Sequence, residues 1–586
     1  MKWIILKCAL IVYMTSLVIF VVYFPEKTLT GNERDEICEQ MISDVRKYYE
    51  DLMNQTSRDQ NDRNGSTSNL PELVQVVEER VQYGPGAYGE DAELSLESLD
   101  PDEHRDRGLL IRKHDYDAFV SDVVSIYRII PDTRPDVCRN ITYSDLPEVS
   151  IIIPFRDERL SVLLRTIYSI LQNTPRDLLA EILLIDDGSK TLELKAKLDY
   201  HVDRLSMVEV IRMNESVGLM TARQTGIDRS KAEYFITMDC HIEVVTGWLE
   251  PLLHRLKENP KACLLPNVGI IKRDNFGVDM TSRWTFNKFP MFAFNLDEAH
   301  SFYWNDFLEG RDRSKPIPTG INQGMAIAMK KSWFLQLGGF DTGMKVWGSE
   351  QIELSVKVWT CGGTVEIIPC SYIAHLFKRK LVWKMGDARF RNILRFAEVW
   401  MDEYKEYIYD YWPTARQAID PGSLTERKVI RRMNRCKPFQ YYIDKVREFG
   451  FIHFPKNLHN KGWIISQYFN QCITLTRHGV ILETCHKKTG DMQFFEHTDE
   501  NQLRHIQQCL YPADLKEPNT TGVIFEECET VMPEKLKWVY TENSELMHPY
   551  KNECLTVAEI DMTFTFTMET CSGKPNQRWT WQLWNG

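Results

Sequence analysis

The chain has no excess of positive charge, since its 586 residues carry a formal net charge of −12. Proteins that bind nucleic acids through phosphate contacts normally present a basic surface, so this charge balance argues against that class of function. A hydrophobic content of 43% is that of a globular protein. Because the chain is too long for a single hydrophobic core, we expect roughly three or four structural units.

The N-terminal stretch lacks both internal charge and a cleavage motif. No charged residue interrupts residues 8–24, and no small-x-small motif follows Phe24, which disfavours the alternative of a cleaved signal peptide. The run is close to the minimum of about 17 apolar residues that can cross a bilayer as a helix. Lysines precede it and acidic residues follow it, so the positive-inside tendency predicts a cytosolic tail at 1–7, a transmembrane anchor at 8–24 and a lumenal remainder.

Residues 25 to about 105 have little apolar content, and a segment of this composition cannot bury enough surface to fold by itself. We interpret it as a stem that holds the globular part away from a membrane. Fourteen cysteines fit a lumenal compartment, where disulfides persist. N-glycosylation sequons, which point the same way, occur at Asn54, Asn64, Asn140, Asn214 and Asn519.

From Val149 onward, short apolar strands alternate with helical periods. Strands are predicted at 149–155, 181–185, 208–213 and from residue 234, and helices at 160–171, 192–198 and 219–227. This alternation predicts a parallel sheet with helices on both faces, in which ligands bind beyond the carboxyl ends of the strands. Asp186 and Asp187 end one strand, and Asp239 and His241 follow another, which is the layout of a nucleotide-sugar site.

Asp239 and His241 form the centre of a metal-site hypothesis. Because side chains alternate along a strand, both would point to the same side, where a carboxylate and an imidazole can hold a divalent metal with open positions. The simpler interpretation is an acidic turn after a buried strand. Further along the chain, a short strand at 365–369 is predicted before His375, and a lone histidine of this kind is more often a core residue than a ligand.

From about residue 455 the pattern changes to short strands, tight turns and aromatic residues. Three copies of a repeat each contain two cysteines followed by an aromatic closing motif. The cysteines are Cys472 and Cys485, Cys509 and Cys528, and Cys554 and Cys571. No copy can bury its apolar face alone, so the repeat predicts a β-trefoil in which the three copies stabilise one another.

Six motifs occur together in this chain. They are Leu163-Leu164-Arg165-Thr166, Ile185-Asp186-Asp187, Asp239-Cys240-His241, Trp347-Gly348-Ser349-Glu350, Cys361-Gly362-Gly363 and the stretch 397–405. In combination they resemble the UDP-GalNAc:polypeptide N-acetylgalactosaminyltransferase family. The resemblance implies an α/β GT-A domain at 115–454 with a mixed, mainly parallel sheet, a ricin-type β-trefoil at 455–586, and a stem with the segment leading into the catalytic domain at 25–114.

The resemblance also implies roles for individual residues. Asp239, His241 and His375 would ligate Mn²⁺, which reverses the simpler interpretation of His375. The nucleotide sugar would contact Asp186, Asp187, Cys240, Arg223, Gly324, Met325, Lys378 and Trp383, of which Lys378 and Trp383 replace an arginine and a tyrosine. Trp347 would lie on a loop over the donor, and Glu350 at the acceptor side of the reacting sugar. The implied reaction is retaining transfer of GalNAc from UDP-GalNAc to Ser or Thr of proteins, carried out by a type II membrane protein of the Golgi.

Disulfide pairings follow from the same resemblance. Cys138 would pair with Cys370 and Cys361 with Cys436, and each trefoil repeat would close its own pair. Cys240 and Cys263 would remain free thiols.

The chain departs from the family within the donor site. Ser216 stands where the family has an arginine that contacts the nucleotide, and Gln323 and Met325 replace an alanine and a glycine of the family's Ala-Gly-Gly-Leu motif. Because a glycine lets the backbone approach a ligand closely, we expect Met325 to crowd the sugar.

In the trefoil, the departures concern the sugar-binding aspartate of each repeat. The equivalent positions hold Thr474, Tyr511 and Thr556, so no repeat has the carboxylate that would accept bonds from two sugar hydroxyls. We expect a folded trefoil with little affinity for free GalNAc, acting as a structural or protein-contact module.

Two functions from different classes fit these observations. One is an active transferase with altered donor or acceptor preference. The other is a pseudo-enzyme that keeps the fold and the metal site but acts by binding glycoproteins or related transferases. The metal triad favours the active enzyme, and a plain lectin fits less well because the transferase domain fills most of the chain.

Overall fold

The computed structural model describes the chain from residue 84 onward, with gaps. The described residues are 84–94, 99–280, 312, 314–378, 386–411, 413–448, 458–476, 479–486, 492–505, 508–513, 522–528, 533–560 and 563–583. The predicted anchor and most of the predicted stem lie outside these ranges. Within them, no helix has both the length and the apolar content needed to cross a bilayer.

A short helical segment leads into the α/β domain. Its helices are α1 (Pro101–His114), α2 (Ala118–Val123) and α3 (Asp136–Arg139). Helix α1 begins with a proline at its first position and a capping box, in which Asp100 accepts from the backbone of Glu103 and the Glu103 side chain accepts in return. Apolar residues of the segment, among them Tyr116, form one buried cluster with Ile271 and Leu376 of the central sheet.

The first half of the α/β domain is a parallel sheet with helical crossovers. Its elements are β1 (Val149–Phe155), α4 (Leu160–Asn173), β2 (Leu179–Asp186), α5 (Ala196–Val202), β3 (Val208–Arg212), α6 (Leu219–Arg229) and β4 (Tyr234–Met238). The strands pair in parallel in the order β3-β2-β1-β4. All seven residues of β1 are buried, as expected for a central strand covered on both faces. Helix α4 places Leu163, Ile167 and Ile170 on one buried face.

The second half makes the sheet mixed. It contains β5 (Ile242–Val244), α7 (Glu250–Glu258), β6 (Ala262–Ile271), β7 (Val278–Asp279), β8 (Ile317–Pro318), β9 (Ala326–Lys330), α8 (Lys331–Gln336), α9 (Glu350–Thr360) and β10 (Thr364–Leu376). Strand β9 lies antiparallel between β4 and β6, whereas β10 runs parallel to β6. The parallel sheet predicted from the strand–helix alternation between Val149 and the Tyr234 strand is present in the first half, and the mixed sheet expected from the resemblance is confirmed by the second half.

Strand β10 is longer than the sequence pattern indicates. The predicted strand ended at Pro369, but β10 continues to Leu376, and its pairing with β6 resumes at Tyr372 after an irregularity that begins at Ile368. His375 therefore lies within a strand of the sheet, not in a loop beyond it.

A layer of helices follows β10 in the chain. It comprises α10 (Ala388–Trp400), α11 (Lys405–Tyr411), α12 (Pro413–Ala418), α13 (Thr425–Met433) and α14 (Phe439–Glu448). Arg395 of α10 forms a buried ion pair with Asp341, at 2.8 Å between Nη2 and Oδ1. Burial of the two charges is tolerated because the Arg395 guanidinium also donates hydrogen bonds to the backbone oxygens of residues 421 and 423.

The C-terminal domain is built from short antiparallel strands. They are β11 (Leu458–Ser466), β12 (Cys472–Thr476), β13 (Gly479–Glu483), β14 (Phe494–Thr498), β15 (Leu503–His505), β16 (Gln508–Pro512), β17 (Val523–Glu527), β18 (Val539–Tyr540), β19 (Leu546–His548), β20 (Glu553–Ile560), β21 (Thr563–Glu569) and β22 (Trp579–Leu583). The closing aromatics repeat one contact: the indole of Trp538 donates to Leu510 O, and that of Trp579 to Leu555 O. Both acceptors directly follow the first cysteine of their repeat, so the second and third repeats share this contact.

Among the described residues the structure contains five disulfides, and they are the pairings that the resemblance implied. They join Cys138 to Cys370, Cys361 to Cys436, Cys472 to Cys485, Cys509 to Cys528 and Cys554 to Cys571. Cys240 and Cys263 are buried free thiols.

Candidate metal centre and cleft

A cleft of about 360 Å³ opens at the carboxyl ends of β1 and β4, beside the end of β10. Its walls come from the strand ends, the 215–218 loop, the start of α6, the segment before β9 and the loop that precedes α9. This is the position at which open α/β sheets bind ligands, because loops that leave neighbouring strands diverge there.

Three side chains that could hold a metal ion converge in this cleft. Asp239 and His241 follow β4, and β5 pairs with β10 so that Ile242 lies opposite His375. The strand pairing therefore brings His241 next to His375, and one ligand atom from each of the three residues lies within 4.8 Å of the other two. His375 Nε2 is 3.3 Å from Asp239 Oδ2. Two imidazole nitrogens and one carboxylate oxygen are a donor set that suits divalent first-row metals.

The surroundings of this cluster favour the protonation states of Asp239 and His375 that can bind a metal ion. Burial opposes ionisation of Asp239, but the hydrogen bond with His375 and the charge of Arg223 outweigh it and lower the pKa of Asp239 to about 2. Burial lowers the pKa of His375 to about 4, against the opposing effect of Asp239. At neutral pH the carboxylate is therefore ionised and the imidazole neutral, which metal coordination requires.

Glu158 lies behind the metal cluster and was not identified from the sequence. Its Oε2 accepts from His241 Nδ1 at 2.9 Å and from Lys378 Nζ at 2.8 Å, and its Oε1 accepts from the Tyr116 hydroxyl at 2.6 Å. Burial disfavours the charged carboxylate, but the Lys378 ammonium and the His241 bond hold the pKa of Glu158 well below its usual range. A carboxylate bonded to the outer nitrogen of a ligand histidine fixes the orientation of the ring.

Cys240 lies beside the same carboxylate. Its Sγ is 3.7 Å from Glu158 Oε2, and burial together with that negative charge raises the pKa of the Cys240 thiol well above its ordinary value. Cys240 is therefore a neutral, apolar part of the cleft wall at physiological pH.

Arg223 of α6 connects the metal cluster to the opposite wall. Its Nη2 donates to Asp239 Oδ1 at 2.9 Å and to Gly324 O at 2.7 Å, and its Nη1 lies 3.6 Å from Glu350 Oε1. Glu350 is the first residue of α9 and is buried, and burial raises the pKa of its carboxyl despite the nearby Arg223.

The loop before α9 forms the outer part of the cleft. Trp347 is 37% exposed and lines the opening. The side-chain amide of Asn392 donates to Trp347 O and Gly348 O and so fixes the loop to α10. Ser349 adopts a left-handed conformation, with φ of 69°, directly before the helix, where a glycine would be less strained.

The wall opposite the metal cluster is the segment before β9. Gly324 has φ of 75°, and a Cβ there would lie 2.8 Å from the Gln351 side chain. The next residue, Met325, lines the cleft, packs against the core and accepts a bond from the Asp239 backbone nitrogen. Met325 therefore forms part of the cleft wall directly beside Asp239.

Asp186 and Asp187 have different surroundings although they are adjacent. Asp186 is fully buried and accepts from Lys195 Nζ at 2.8 Å and Arg212 Nη1 at 2.7 Å, so it joins β2 to β3 and does not line the cleft. Asp187 does line the cleft, and its carboxylate accepts from the Ser216 hydroxyl and the Val217 backbone.

Most of the residues named from the sequence meet in the cleft. They are Asp187, Arg223, Asp239, Cys240, His241, Gly324, Met325, Trp347, Glu350, His375 and Lys378. Asp186 lies behind the wall, and Trp383 lies outside the described residues. Arg156 and Glu158 also line the cleft; both follow the end of β1, and that position at the carboxyl edge of the sheet was the signal that could have identified them.

In the trefoil, Thr474 and Thr556 stand where the resemblance implies an aspartate, and each forms a hydrogen bond with a buried glutamine of its own repeat. Gln493 Nε2 donates to Thr474 Oγ1 at 2.9 Å, and Gln577 Nε2 donates to Thr556 Oγ1 at 2.9 Å. Both threonines are buried, with exposures of 6% and 0%. Neither hydroxyl is therefore available to a sugar in this conformation.

Three protein-family models match the chain, two in the α/β domain and one in the C-terminal domain. The model of Glycosyl transferase family 2 matches residues 150–338, that of the N-terminal domain of galactosyltransferase matches 315–379, and that of the Ricin-type beta-trefoil lectin domain matches 461–579.

Individual relatives match most of the chain. Polypeptide N-acetylgalactosaminyltransferase 12 of Mus musculus is 32% identical over 512 residues, which cover 84% of this chain and 87% of the relative. Polypeptide N-acetylgalactosaminyltransferase 4 of Mus musculus is 34% identical over 519 residues, with 85% and 87% covered. Among solved structures, the crystal structure of GalNAc-T7 with UDP, GalNAc and Mn²⁺ is similar with a TM-score of 0.65 at 26% identity, covering 85% of this chain and 93% of that chain.

Proposed function

Because the chain belongs to the polypeptide N-acetylgalactosaminyltransferase family, we propose that it transfers N-acetylgalactosamine from UDP-GalNAc to serine and threonine hydroxyls of proteins, with retention at the anomeric carbon. The observation that carries this proposal is the convergence of Asp239, His241 and His375 in a cleft that also holds Arg223 and Glu350.

Mn²⁺ fits the residues at the metal centre. Asp239, His241 and His375 would hold it, since they offer one oxygen and two nitrogen atoms close together, with the carboxylate ionised. When bound, the ion offsets the negative charge that develops on the leaving diphosphate. The similarity to a protein crystallised with UDP, GalNAc and Mn²⁺ supports the same cofactor here.

The remaining cleft residues have separate tasks. In the reaction, the bond between the anomeric carbon and the β-phosphate oxygen breaks, the acceptor oxygen bonds to that carbon, and UDP and the hydroxyl proton are released. Lys378 provides a positive charge beside the diphosphate, and burial of the ammonium is offset by Glu158, which keeps the pKa of Lys378 above its ordinary value. Trp347 covers the donor at the opening of the cleft, and Glu350 faces the reacting sugar from the acceptor side.

We place the enzyme in the Golgi as a single-pass type II membrane protein. The uncharged run at 8–24 and the charges that flank it support the anchor. The five disulfides support a lumenal location for residues 115–454 and 455–586, the two proposed domains.

Release of UDP tests this function. The lumenal part of the chain would be incubated with UDP-GalNAc and Mn²⁺, with a threonine-containing peptide or its alanine counterpart. We expect UDP release that requires both the metal and the hydroxyl peptide. Binding of UDP-GalNAc without any release would instead favour the pseudo-enzyme.

A further inference from the structure

One face of helix α10 holds the loop at 341–349. Arg395 pairs with Asp341 at the start of this loop, and Arg391 Nε donates to Gly343 O at 3.1 Å. The two arginines are four positions apart and therefore lie on the same face of the helix. Both contacts fix only the first part of the loop, because they end at residue 343.

Asn392 holds the second part of the loop. Its Oδ1 accepts from Lys345 N at 2.7 Å, and its Nδ2 donates to Lys345 O at 2.8 Å. The same Nδ2 donates to Trp347 O at 3.1 Å and to Gly348 O at 3.0 Å. Because Asn392 is fully buried, removal of its amide would deprive these backbone groups of a partner in a place with little access to water.

The segment held in this way has a backbone conformation that its residues do not favour. Val346 has a φ of 58°, Gly348 of 94° and Ser349 of 69°. A positive φ is an outlier for a β-branched residue such as valine and is also unfavourable for serine. Such conformations persist only where the surroundings determine them. Here the surroundings are Asn392 and the start of α6, where Leu219 N donates to Val346 O at 2.9 Å.

We propose that Asn392 is a positioning residue that keeps Trp347 over the donor, and that Ser349 makes the loop depend on it. A glycine at position 349 would adopt a positive φ without strain. With serine there, the backbone needs the contacts of Asn392 to stay in place. This inference rests on the proposed function, because it assumes that Trp347 covers a donor in the cleft.

The proposed metal ligands do not depend on this loop. Asp239 and His241 follow β4, and His375 lies in β10, so strand pairing holds them in place. Trp347 and Glu350 instead lie on either side of the strained turn. A shift of the turn should therefore impair transfer without weakening the binding of Mn²⁺.

Kinetics of the full chain with UDP-GalNAc, Mn²⁺ and a threonine-containing peptide test the inference. We expect Asn392→Ala to lower kcat/KM about 10- to 100-fold, the range for losing one or two buried hydrogen bonds, and to leave the Mn²⁺ affinity unchanged. Asn392→Asp keeps the size of the side chain but lacks the N–H₂ group, so it should behave alike. Ser349→Gly should have little effect by itself and should restore most of the activity of Asn392→Ala.

Fluorine NMR of the full chain labelled with 5-fluorotryptophan follows Trp347 without requiring turnover. The signal that is missing in Trp347→Phe identifies this residue. We expect the signal to shift in Asn392→Ala, because the indole leaves its place in the cleft wall. In the double variant with Ser349→Gly, it should return toward the wild-type position.

Asn434 provides the matched control. Its Nδ2 donates to Gln336 O at 2.9 Å and to Ile430 O at 3.0 Å, and it does not line the cleft. Asn434→Ala therefore also removes an amide that serves two backbone oxygens, but it should keep the wild-type kcat/KM and the wild-type Trp347 signal. Melting temperatures of all variants separate a loss of stability from a loss of loop position.

The outcomes separate the inference from the function it rests on. Wild-type protein without any transfer would overturn the proposed function. An unchanged Trp347 signal in Asn392→Ala would overturn the inference whether or not transfer occurs. Equal losses of activity with and without Ser349→Gly would contradict the dependence on Ser349, and weakened Mn²⁺ binding in Asn392→Ala would show that the residue does not act through the loop alone.

Discussion

Replacement of Glu158 by glutamine should weaken metal binding although Glu158 is not a proposed metal ligand. Its buried carboxylate accepts from Tyr116, His241 and Lys378 at 2.6, 2.9 and 2.8 Å. Glutamine keeps the size of the side chain but removes the charge, and it replaces one acceptor oxygen with an N–H₂ donor. Oε1 also accepts from Arg159 N, so the N–H₂ group deprives at least two donors of their acceptor: either Tyr116 and Arg159 N, or His241 and Lys378. In both cases His241 loses the charge that orients its ring and makes it more basic.

The expected magnitude follows from the role of such carboxylates. Loss of the group behind a ligand histidine typically costs 10- to 100-fold in metal affinity, or about 1.4–2.7 kcal/mol. Tyr116→Phe removes only one neutral donor and leaves the charge in place, so its effect on Mn²⁺ affinity should be less than about tenfold.

Titration of the metal-free lumenal protein with Mn²⁺, with free ion measured by electron paramagnetic resonance, gives the affinity without requiring turnover. Glu181→Gln is the matched control, because Glu181 is also a buried carboxylate with hydroxyl and lysine partners but lies at the other end of the sheet. Wild-type affinity in Glu158→Gln would refute the positioning role.

Three further predictions concern pH, the trefoil and the donor. Burial lowers the pKa of His114 from 6.5 to about 4, so between these values the unfolded chain binds a proton that the folded chain does not. The free energy of unfolding should therefore fall by up to about 3 kcal/mol as pH drops through this window, and His114→Gln should flatten this fall in melting curves. GalNAc titrated into the protein should show no saturable binding at the trefoil, and millimolar binding that Thr474→Ala or Thr556→Ala abolishes would contradict this. Met325→Gly with Gln323→Ala should raise turnover of UDP-GalNAc if crowding limits it; slower turnover than a fast wild type would show that Met325 does not crowd the sugar.

The sequence predicts the fold well where hydrophobic periodicity alone determines whether a segment forms a strand or a helix. Most strands and helices from Val149 to Met238 follow hydrophobic periodicity closely. The exception is the helix predicted at 192–198, which lies at Ala196–Val202 after a separate 3-10 turn at Leu192–Leu194. Strand direction is not encoded in that periodicity, so the antiparallel β9 was not foreseen. The end of β10 was missed because Pro369 interrupts the pattern, while pairing with β6 resumes at Tyr372.

The convergence of Asp239, His241 and His375 could be predicted from motifs, but the contacts that support it could not. Asp239 and His241 are two residues apart, whereas the Tyr116–Glu158 bond joins residues separated by 42 positions. Such contacts depend on how the segment before β1 packs. The different surroundings of Asp186 and Asp187 follow from the alternation of side chains at the end of a strand.

The central claim is that a metal held by Asp239, His241 and His375 supports transfer of GalNAc to protein hydroxyls. Mass spectrometry of a Ser/Thr peptide after incubation with UDP-GalNAc, Mn²⁺ and either wild-type protein or His375→Ala tests it most directly. We predict glycopeptide carrying a single GalNAc with the wild type, none when Mn²⁺ is chelated, and none with a folded His375→Ala variant. Equal product from the wild type with and without metal, or from His375→Ala, would contradict the account.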